Sequence, residues 1–247
     1  MKAPEKTIHR FFATPVAPCP YLPERVERKL FTPLVGRQPD QLHEMLAASG
    51  FRRSQNIVYK PACEGCRSCI PVRVRAQDLE ETRSLLRLER KNCDLFVKID
   101  QPIATPEQFD LFKRYQKKRH TKSGMSDMDF GDYQEMVEDT IVNTSMIEFR
   151  SPNGKLEAAC LTDHMSDGFS LCYSFYDPNL SQRSLGSFVV MWHIREAQKQ
   201  DLPYVYLGYW ISETPKMSYK ARFQPLEGLI PNLHEWRELR HHSINNG

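Results

Sequence analysis

The amino-acid sequence predicts an α/β protein whose core is a mixed β-sheet. The 247 residues alternate between stretches with helical periodicity and stretches with period-two alternation, with no repeat at a fixed interval. In residues 146–176, two turn signals separate three strand candidates, which indicates an antiparallel meander. A helical stretch at residues 185–199 and a strand at 204–210 follow, as is typical of a β-α-β crossover. The sheet is therefore expected to contain antiparallel and parallel pairs.

The first hundred residues are expected to form a smaller, Cys-containing α/β domain. Its predicted elements are helices at residues 39–49 and 78–92, and strands at 57–59, 70–75 and 95–99. Gly50 is expected to end the first helix in the left-handed region. Asp78, with Glu81 three residues later, is expected to begin the second helix.

A second domain is expected to begin where Thr105-Pro106-Glu107 predicts the start of a helix. A link that contains Gly and Ser follows this helix at residues 121–128. The interpretation is one domain of residues 1–104 and another of residues 105–247.

Composition and charge exclude several classes of protein. Hydrophobic residues are 40% and charged residues 26% of the chain, which excludes a disordered chain. The longest apolar run, residues 188–192, is too short to span a bilayer. The first residues lack the apolar segment of an export signal, so a cytoplasmic location without a membrane partner is expected.

Net charge is only +3, but residues 1–100 hold 18 basic and 12 acidic side chains, whereas residues 101–247 hold 16 basic and 19 acidic side chains. This asymmetry favours an anionic partner.

The seven cysteines indicate metal binding or free thiols rather than a disulfide framework. Cys63, Cys66 and Cys69 form a C-x2-C-x2-C run, and Cys19 is a candidate fourth thiolate. Thiolates at this spacing suit tetrahedral zinc or an iron–sulfur cluster. Small buried cysteines are also common. Both interpretations stay open.

The segment 176–187 connects the end of a predicted strand to the start of a predicted helix, so backbone N–H groups are expected to face an anion there. Arg183-Ser184-Leu185-Gly186-Ser187 resembles the pyrophosphate loop of the Gcn5-related acetyltransferase fold, Q/R-x-x-G-x-G/A, up to its last position. The resemblance implies that fold for the C-terminal domain, with the N-terminal domain as a possible tandem copy. Phe188 replaces a small residue and is expected to hinder coenzyme A.

Eight blocks of sequence, in this order, resemble those of the aminoacyl-tRNA protein transferases and most of all their bacterial leucyltransferase branch. The blocks are Cys19-Pro20-Tyr21-Leu22-Pro23, Gly50-Phe51-Arg52-Arg53-Ser54, Tyr59-Lys60-Pro61 with the following cysteine run, Tyr115-Gln116 with Arg119-His120, Tyr176-Asp177-Pro178, Arg183-Ser184-Leu185-Gly186, Tyr206-Leu207-Gly208-Tyr209-Trp210-Ile211 and Met217-Ser218-Tyr219-Lys220.

This resemblance implies a cytoplasmic enzyme that moves leucine from leucyl-tRNA to proteins that begin with Asp or Glu, which marks them for N-degron proteolysis. No cofactor is required for the transfer. An α-amine with a pKa of about 7.7–8.0 is already partly neutral, so the chemistry needs an oxyanion donor more than a strong base. Tyr176, Ser187 and Tyr219 are candidate donors. Asp177 is a candidate proton acceptor, or a turn residue before its proline.

Recognition of an acidic acceptor and of tRNA requires cations. Arg and Lys side chains select a carboxylate, and the candidates are Arg52, Arg53, Arg183, Lys216, Lys220 and Arg222, with Gly186 of the loop. Basic residues at helical spacing are expected to follow the tRNA backbone, although such a stripe is also typical of a solvated helix face. These residues are Arg83, Arg87, Arg90, Lys91, Lys113 and Lys117.

Two other functions stay open. An acetyl-CoA-dependent N-acetyltransferase would share the C-terminal fold, and Phe188 argues against it. A non-catalytic, zinc-containing RNA-binding protein would explain the cysteines and the basic charge of the N-terminal half. It would assign no function to the loop at residues 176–187.

Overall fold

The computed structural model describes residues 9–119, 124–231 and 233–239. The helices are α1 (Pro39–Ala48), α2 (Arg83–Lys91), α3 (Pro106–Arg119), α4 (Phe130–Glu138) and α5 (Leu185–Lys199). The strands are β1 (Phe12–Ala13), β2 (Ala17–Pro18), β3 (Val26–Glu27), β4 (Lys29–Pro33), β5 (Arg52–Ser54), β6 (Ile57–Pro61), β7 (Ile70–Arg75), β8 (Phe96–Asp100), β9 (Thr144–Arg150), β10 (Leu156–Met165), β11 (Gly168–Tyr176), β12 (Tyr204–Trp210), β13 (Leu226–Ile230) and β14 (Glu235–Glu238).

An eight-stranded sheet runs through the centre, in the order β14-β13-β7-β12-β11-β10-β9-β8. Its neighbouring strands are antiparallel except β11 and β12, which are parallel. The predicted mixed sheet, with its meander β9-β10-β11 and the crossover through α5, is therefore confirmed.

The parallel pair β11 and β12 is joined only at its first residues, where Gly168–Ser170 pair with Tyr204–Tyr206. Farther along, β11 pairs with β10 alone, and β12 pairs with β7 across a bulge between Tyr206 and Gly208. The two strands therefore separate toward their carboxyl ends. Ligands of α/β proteins collect at such ends.

Two hydrophobic cores cover opposite faces of the sheet, because side chains alternate along β10. Ala158 and Cys160 belong to the core under α2 and α5. Ala159 and Leu161 belong to the core under α3 and α4. Helices on both faces hold the central strands in place.

A four-stranded sheet in the order β1-β4-β6-β5 packs with α1 around its own small core. This part of the chain contacts the large sheet directly. The Tyr209 hydroxyl lies 3.0 Å from the carbonyl oxygens of both Gly50 and Tyr59, which share its single O–H donor. Glu44 of α1 accepts hydrogen bonds from the backbone N–H and the hydroxyl of Ser166, both at 2.7 Å. These contacts fix β5 beside the ends of β11 and β12.

The large sheet extends across the expected domain boundary near residue 104. Strands β7 and β8 precede this boundary, and they pair with β12, β13 and β9, which follow it. The division into residues 1–104 and 105–247 stays a prediction.

Two helices differ from their sequence-based expectation. Helix α2 begins at Arg83 because the Thr82 hydroxyl accepts the N–H of Leu85, at 3.3 Å, whereas Asp78 forms an ion pair with Arg75. The expectation that Asp78 caps this helix was therefore wrong. Helix α4 has no counterpart in the prediction, although Asp129 and Asp132 form a reciprocal capping box at its start. Gly50 has φ +85°, as expected after α1.

None of the helices in the described ranges combines the length and the apolar character that a bilayer span needs.

Candidate active site

Arg52 occupies the gap where β11 and β12 separate. Its Nη2 donates hydrogen bonds to the carbonyl oxygens of Leu171, at 2.9 Å, and Cys172, at 2.8 Å. These carbonyls lie just beyond the last β11 residue that pairs with β12. The guanidinium also lies against Gly208, which has φ +73° and where a Cβ atom would be 1.8 Å from Nη1. A larger residue at this point of β12 would have to displace the Arg52 side chain and adopt a strained backbone.

The charge of Arg52 has no carboxylate partner among the described residues. The ionisable groups around it are the phenols of Tyr21, Tyr59 and Tyr209 and the thiol of Cys172. Burial raises the pKa of Tyr209 and of Cys172, so these two groups stay neutral near pH 7. A half-buried cation without a counter-ion is partly desolvated at a cost in free energy, and an anion bound beside it would offset that cost.

Arg53, the next residue, is fully engaged inside the protein. Its Nε and Nη2 donate to the two carboxylate oxygens of buried Asp163, at 2.7 and 2.6 Å. Burial alone would raise the pKa of Asp163, but the hydrogen bonds and charge of Arg53 outweigh it and the pKa is lowered. Thr144 donates to the same carboxylate, at 2.9 Å. Arg53 therefore supports the fold rather than the predicted acceptor site.

Lys220 is a second basic residue beside Arg52, and unlike Arg52 it is fully buried. Its Nζ donates to the carbonyl oxygens of Leu207, at 2.7 Å, and Tyr209, at 2.5 Å, on either side of Gly208. Burial, with a smaller contribution from the charge of Arg52, lowers the pKa of Lys220 to about 7. No carboxylate pairs with it within the part of the chain that the structure describes. Near neutral pH, Lys220 thus exists in both protonation states.

Tyrosine side chains complete this region. The Tyr176 ring packs edge-on against Tyr115, with centroids 4.9 Å apart. It also lies over Gly186, where a Cβ atom would be 2.8 Å from Cε1, so this glycine makes room for a ring. Burial raises the pKa of Tyr219 to about 12, and Arg52 and Tyr176 are among the groups that act on it. Tyr219 therefore stays protonated and able to donate a hydrogen bond.

Asp177 stabilises the turn after β11. Its carboxylate accepts hydrogen bonds from the Asn179 N–H, at 3.0 Å, and from Lys155 Nζ, at 3.2 Å. Burial would raise the pKa of Asp177, but these two partners outweigh it and the pKa is lowered. A carboxylate in this state is a weak base, so the structure favours the turn role over proton transfer.

Ser187 and Phe188 lie at the start of α5 and are both buried. The Ser187 hydroxyl is 3.5 Å from Nη1 of Arg222, whose side chain is exposed. The Phe188 ring packs against Phe149 in the core, with centroids 5.8 Å apart. Its ring therefore points into the core, and the expectation that it hinders coenzyme A stays a prediction.

Arg183 connects the loop to α2 instead of facing the gap. Its Nε donates to Asn92, at 3.1 Å, and its other nitrogens form ion pairs with Glu157, at 3.2 Å, and Asp94. Asn92 in turn donates to the Arg183 carbonyl, at 3.0 Å. The described contacts thus use this guanidinium internally. The side chain of Lys216 lies outside the described part of the structure.

Five of the six basic residues predicted to contact tRNA are exposed, and the sixth, Lys113, is used in internal contacts. Arg83, Arg87 and Arg90 are exposed along one face of α2, opposite the buried Leu85 and Leu88. Lys91 and Lys117 are exposed too, and Lys91 donates to the Gln182 carbonyl at 2.7 Å. Lys113 donates to the carbonyl oxygens of Ser126 and Met128, at 2.7 and 3.0 Å, so it holds the segment before α4.

The four N-terminal cysteines lie in one neighbourhood. Burial, together with Cys19, Cys63 and Cys66, raises the pKa of Cys69 to about 12. The Leu22 N–H lies 3.4 Å from the Cys19 sulfur, and the Arg28 N–H lies 3.5 Å from the Cys63 sulfur. No three metal-binding groups among the described residues are placed to hold one ion. The thiols are thus near each other but not in ligand geometry, and a metal here stays a prediction.

Two sequence models of one family match most of the chain. The N-terminal model of arginine-tRNA-protein transferase matches residues 17–87, and the C-terminal model matches residues 107–230. A protein of Paramagnetospirillum magneticum named aspartate/glutamate leucyltransferase is 51% identical over 93% of this chain and 94% of its own length. The chain belongs to the arginine-tRNA-protein transferase family. The resemblance drawn from the sequence blocks is confirmed.

Another member of the arginine-tRNA-protein transferase family, from Rhodospirillum rubrum and also named aspartate/glutamate leucyltransferase, is 49% identical over 89% of each chain. Among solved structures, a GCN5-related glucosamine N-acetyltransferase region of a fungal multidomain β-N-acetylglucosaminidase gives a TM-score of 0.40 at 12% identity. It covers 79% of this chain and 22% of that chain.

Gly208 and Tyr115 lie beside the candidate site and in the blocks that resemble the family, but neither is among the predicted site residues. Gly208 was available as a signal, because a glycine inside a strand pattern indicates a bulge or a close backbone approach. Tyr115 lies on α3 and touches Tyr176 from a distant part of the chain. No local pattern reveals such a contact.

Proposed function

We propose that this protein transfers leucine from leucyl-tRNA to the α-amine of proteins that begin with Asp or Glu. In the cytoplasm, such a transfer would mark the product for N-degron proteolysis. Family membership supports the transfer chemistry. The single structural observation that supports the acidic acceptor is Arg52, a half-buried guanidinium without a carboxylate partner among the described residues.

Arg52 is suited to bind the side-chain carboxylate of the acceptor. Nη2 is used by two backbone carbonyls, and no hydrogen bond within the described residues uses Nη1 or Nε. Nη1 and Nε can each donate a charge-assisted hydrogen bond to a carboxylate oxygen. Arg53 cannot substitute for it, because Asp163 already occupies that guanidinium. The acceptor carboxylate therefore meets one fixed cation where β11 and β12 separate.

The reaction at this site is attack of the acceptor α-amine on the ester that links leucine to the tRNA ribose. Fixing the amine beside the ester can contribute up to about 7 to 11 kcal/mol of the rate enhancement. Negative charge develops on the ester oxygen, and a positioned hydroxyl can stabilise it. We assign this role to Tyr219 and Tyr176, since both border the gap and Tyr219 stays protonated near neutral pH.

The exposed arginines of α2 are suited to hold the tRNA backbone close to this site. Three hydrogen bonds join the end of α2 to the loop before α5: Lys91 to the Gln182 carbonyl, Asn92 to the Arg183 carbonyl, and Arg183 to Asn92. A phosphate bound along α2 would thus be held in a fixed relation to the loop and to Tyr176. The same contacts give Arg183 a positioning role in place of acceptor binding.

An assay of donors against acceptors tests this function. Purified protein is incubated with leucyl-, arginyl- or phenylalanyl-tRNA and with peptides that begin with Asp, Glu, Lys or Ala, and a parallel arm uses acetyl-CoA. We expect transfer from leucyl-tRNA to the Asp and Glu peptides alone. Acetylation would support the acetyltransferase alternative, and no reaction in either arm would support a binding protein.

Arg52→Met tests the acceptor site within the same assay. A hydrogen bond to a charged group contributes about 1.5 to 3 kcal/mol, so kcat/KM for the Asp peptide should fall about 10- to 100-fold. Transfer to a matched Asn peptide should change little. Arg37→Met, at an exposed arginine in the segment between β4 and α1, is the control. Equal loss for Asp and Asn peptides would contradict this role for Arg52.

A further inference from the structure

The proposed reaction releases a proton from the attacking amine, and the sequence suggests Asp177 to receive it. In the structure, that carboxylate is held by Lys155 and by the Asn179 N–H. Its lowered pKa makes it a poor acceptor near neutral pH. The group that takes the proton must therefore be sought elsewhere around the gap.

The hydrogen bonds of Lys220 suit an uncharged amine. A neutral primary amine has two N–H donors and one lone pair, whereas an ammonium has three donors and no acceptor. Nζ has two acceptors within the described residues, the carbonyl oxygens of Leu207 and Tyr209. The neutral form thus satisfies both of its N–H groups and keeps its lone pair available. The charged form would leave a third N–H without a described partner.

The position of Lys220 is tied to that of Arg52 through one short piece of β12. Nζ binds the carbonyls of Leu207 and Tyr209, and the Arg52 guanidinium lies against Gly208 between them. In an acceptor that begins with Asp, the carbon that bears the amine is one methylene away from the carboxylate. With Glu the separation is two methylenes. A carboxylate bound at Arg52 therefore places the α-amine near Lys220.

We propose that Lys220 is the catalytic base, which accepts a proton from the acceptor α-amine as that amine attacks the ester. This inference rests on the proposed function. The amine nitrogen bonds to the ester carbonyl carbon, and one of its protons passes to Nζ. The bond from that carbon to the ribose oxygen then breaks, and the proton moves from Nζ to the ribose oxygen. Lys220 returns to its neutral state, and no other reactant is needed.

The charged and titratable groups that face Lys220 agree with this role. Burial disfavours the ammonium most, and the charge of Arg52 from β5 disfavours it further, which lowers the pKa of Lys220 to about 7. Tyr209 from β12 and Tyr219 from the same segment have raised pKa values and are neutral. A base with a pKa near the working pH transfers protons efficiently. This assignment replaces the anion-binding role that the sequence suggests for Lys220.

Lys220→Arg separates a base from a simple cation, because arginine keeps the charge and does not release its proton. With leucyl-tRNA and an Asp peptide, we expect kcat to fall about 100-fold or more, in the range known for general bases. Lys199→Arg, at an exposed lysine on the far end of α5, is the control. Retention of kcat within a few fold in Lys220→Arg would overturn the proposal.

Chemical rescue of Lys220→Ala keeps the proposal testable if arginine does not fit. Formation of the leucyl peptide should rise in proportion to unprotonated methylamine or ethylamine, and guanidinium at the same concentrations should not restore it. Rescue by guanidinium alone, or by neither compound in a folded variant, would overturn the proposal. Wild-type protein that transfers nothing would overturn the proposed function and this inference together, whereas active Lys220→Arg would overturn this inference alone.

Discussion

The guanidinium of Arg52 lies so close to Gly208 that a Cβ atom there would be 1.8 Å from Nη1. Gly208→Ala must therefore displace Arg52 as well as strain a residue with φ +73°. The left-handed region disfavours alanine by about 1 to 2 kcal/mol. We expect that loss of stability together with a fall of at least about 10-fold in kcat/KM for Asp peptides, because the acceptor cation moves. Thermal melting and the transfer assay measure the two effects.

Gly154→Ala is the matched control for this prediction. Gly154 has φ +82°, and a Cβ atom there would meet nothing within 4 Å. This variant should lose a similar amount of stability and keep its kcat/KM. If Gly208→Ala also keeps its kcat/KM for the Asp peptide, Arg52 does not bind the acceptor.

Arg52 and Arg53 show what the sequence could and could not predict. Both were recognisable as candidate cations, but only the fold distinguishes them, since the partner of Arg53 lies 110 residues away in β10. The main strands and helices followed from local periodicity, which the backbone geometry imposes directly. The positions of β7 and β8 in the large sheet depend on pairing with distant strands, and no local pattern encodes that.

Some of the catalytic candidates lie at the site in the structure, whereas others have side chains that are used in internal contacts. Tyr176, Tyr219 and Lys220 came from blocks of family resemblance, and the structure brings them to the ends of β11 and β12. Asp177 and Arg183 came from the same blocks, but their side chains are used in turn and loop contacts. The chemistry of each side chain was visible in the sequence, whereas its burial and partners required the fold.

Removal of Arg53 should destabilise the protein strongly at neutral pH. Arg53→Met leaves the Asp163 carboxylate buried without its main partner, and breaking a buried pair in this way costs about 3 to 5 kcal/mol. Urea unfolding at pH 7 measures the loss. Arg75→Met is the control, because the Arg75 ion pairs are partly exposed and should contribute no more than about 1 kcal/mol.

The loss of stability that Arg53→Met causes should become smaller as the pH falls. In the wild type, the pKa of Asp163 is lowered, so its contribution is present above the unfolded value of about 3.9 and is lost as pH falls through the folded value. Without Arg53, burial should raise that pKa, and protonation then relieves the buried charge. The stability difference between the two proteins should narrow from pH 7 toward pH 4. A constant difference would show that Asp163 does not cause it.

The cysteines should differ in their reaction with an alkylating reagent at pH 7, in protein treated with a chelator. Cys93 is exposed, and the pKa of Cys66 is lowered, chiefly by a hydrogen bond from the backbone of Ser68. Cys93 should react early because the reagent reaches it, and Cys66 because its lowered pKa favours the thiolate, which is the reactive form. Burial raises the pKa of Cys69 and Cys160 to about 12, so both should react much later. Mass spectrometry over time gives the order, and fast labelling of Cys69 would contradict it.

The exposed arginines of α2 should set the salt dependence of tRNA binding. Each phosphate contact that is lost lowers the slope of log K against log salt by about 1. If all three arginines contact phosphates, replacing Arg83, Arg87 and Arg90 by Gln should reduce this slope by about 3. The melting temperature should change little, because these side chains are exposed. Filter binding of leucyl-tRNA across a salt series measures the slope. Lys199→Gln removes one charge at the far end of α5 and should leave the slope unchanged. An unchanged slope in the triple variant would show that α2 does not contact the tRNA. Lys117 on α3 would then be the remaining exposed candidate outside α2.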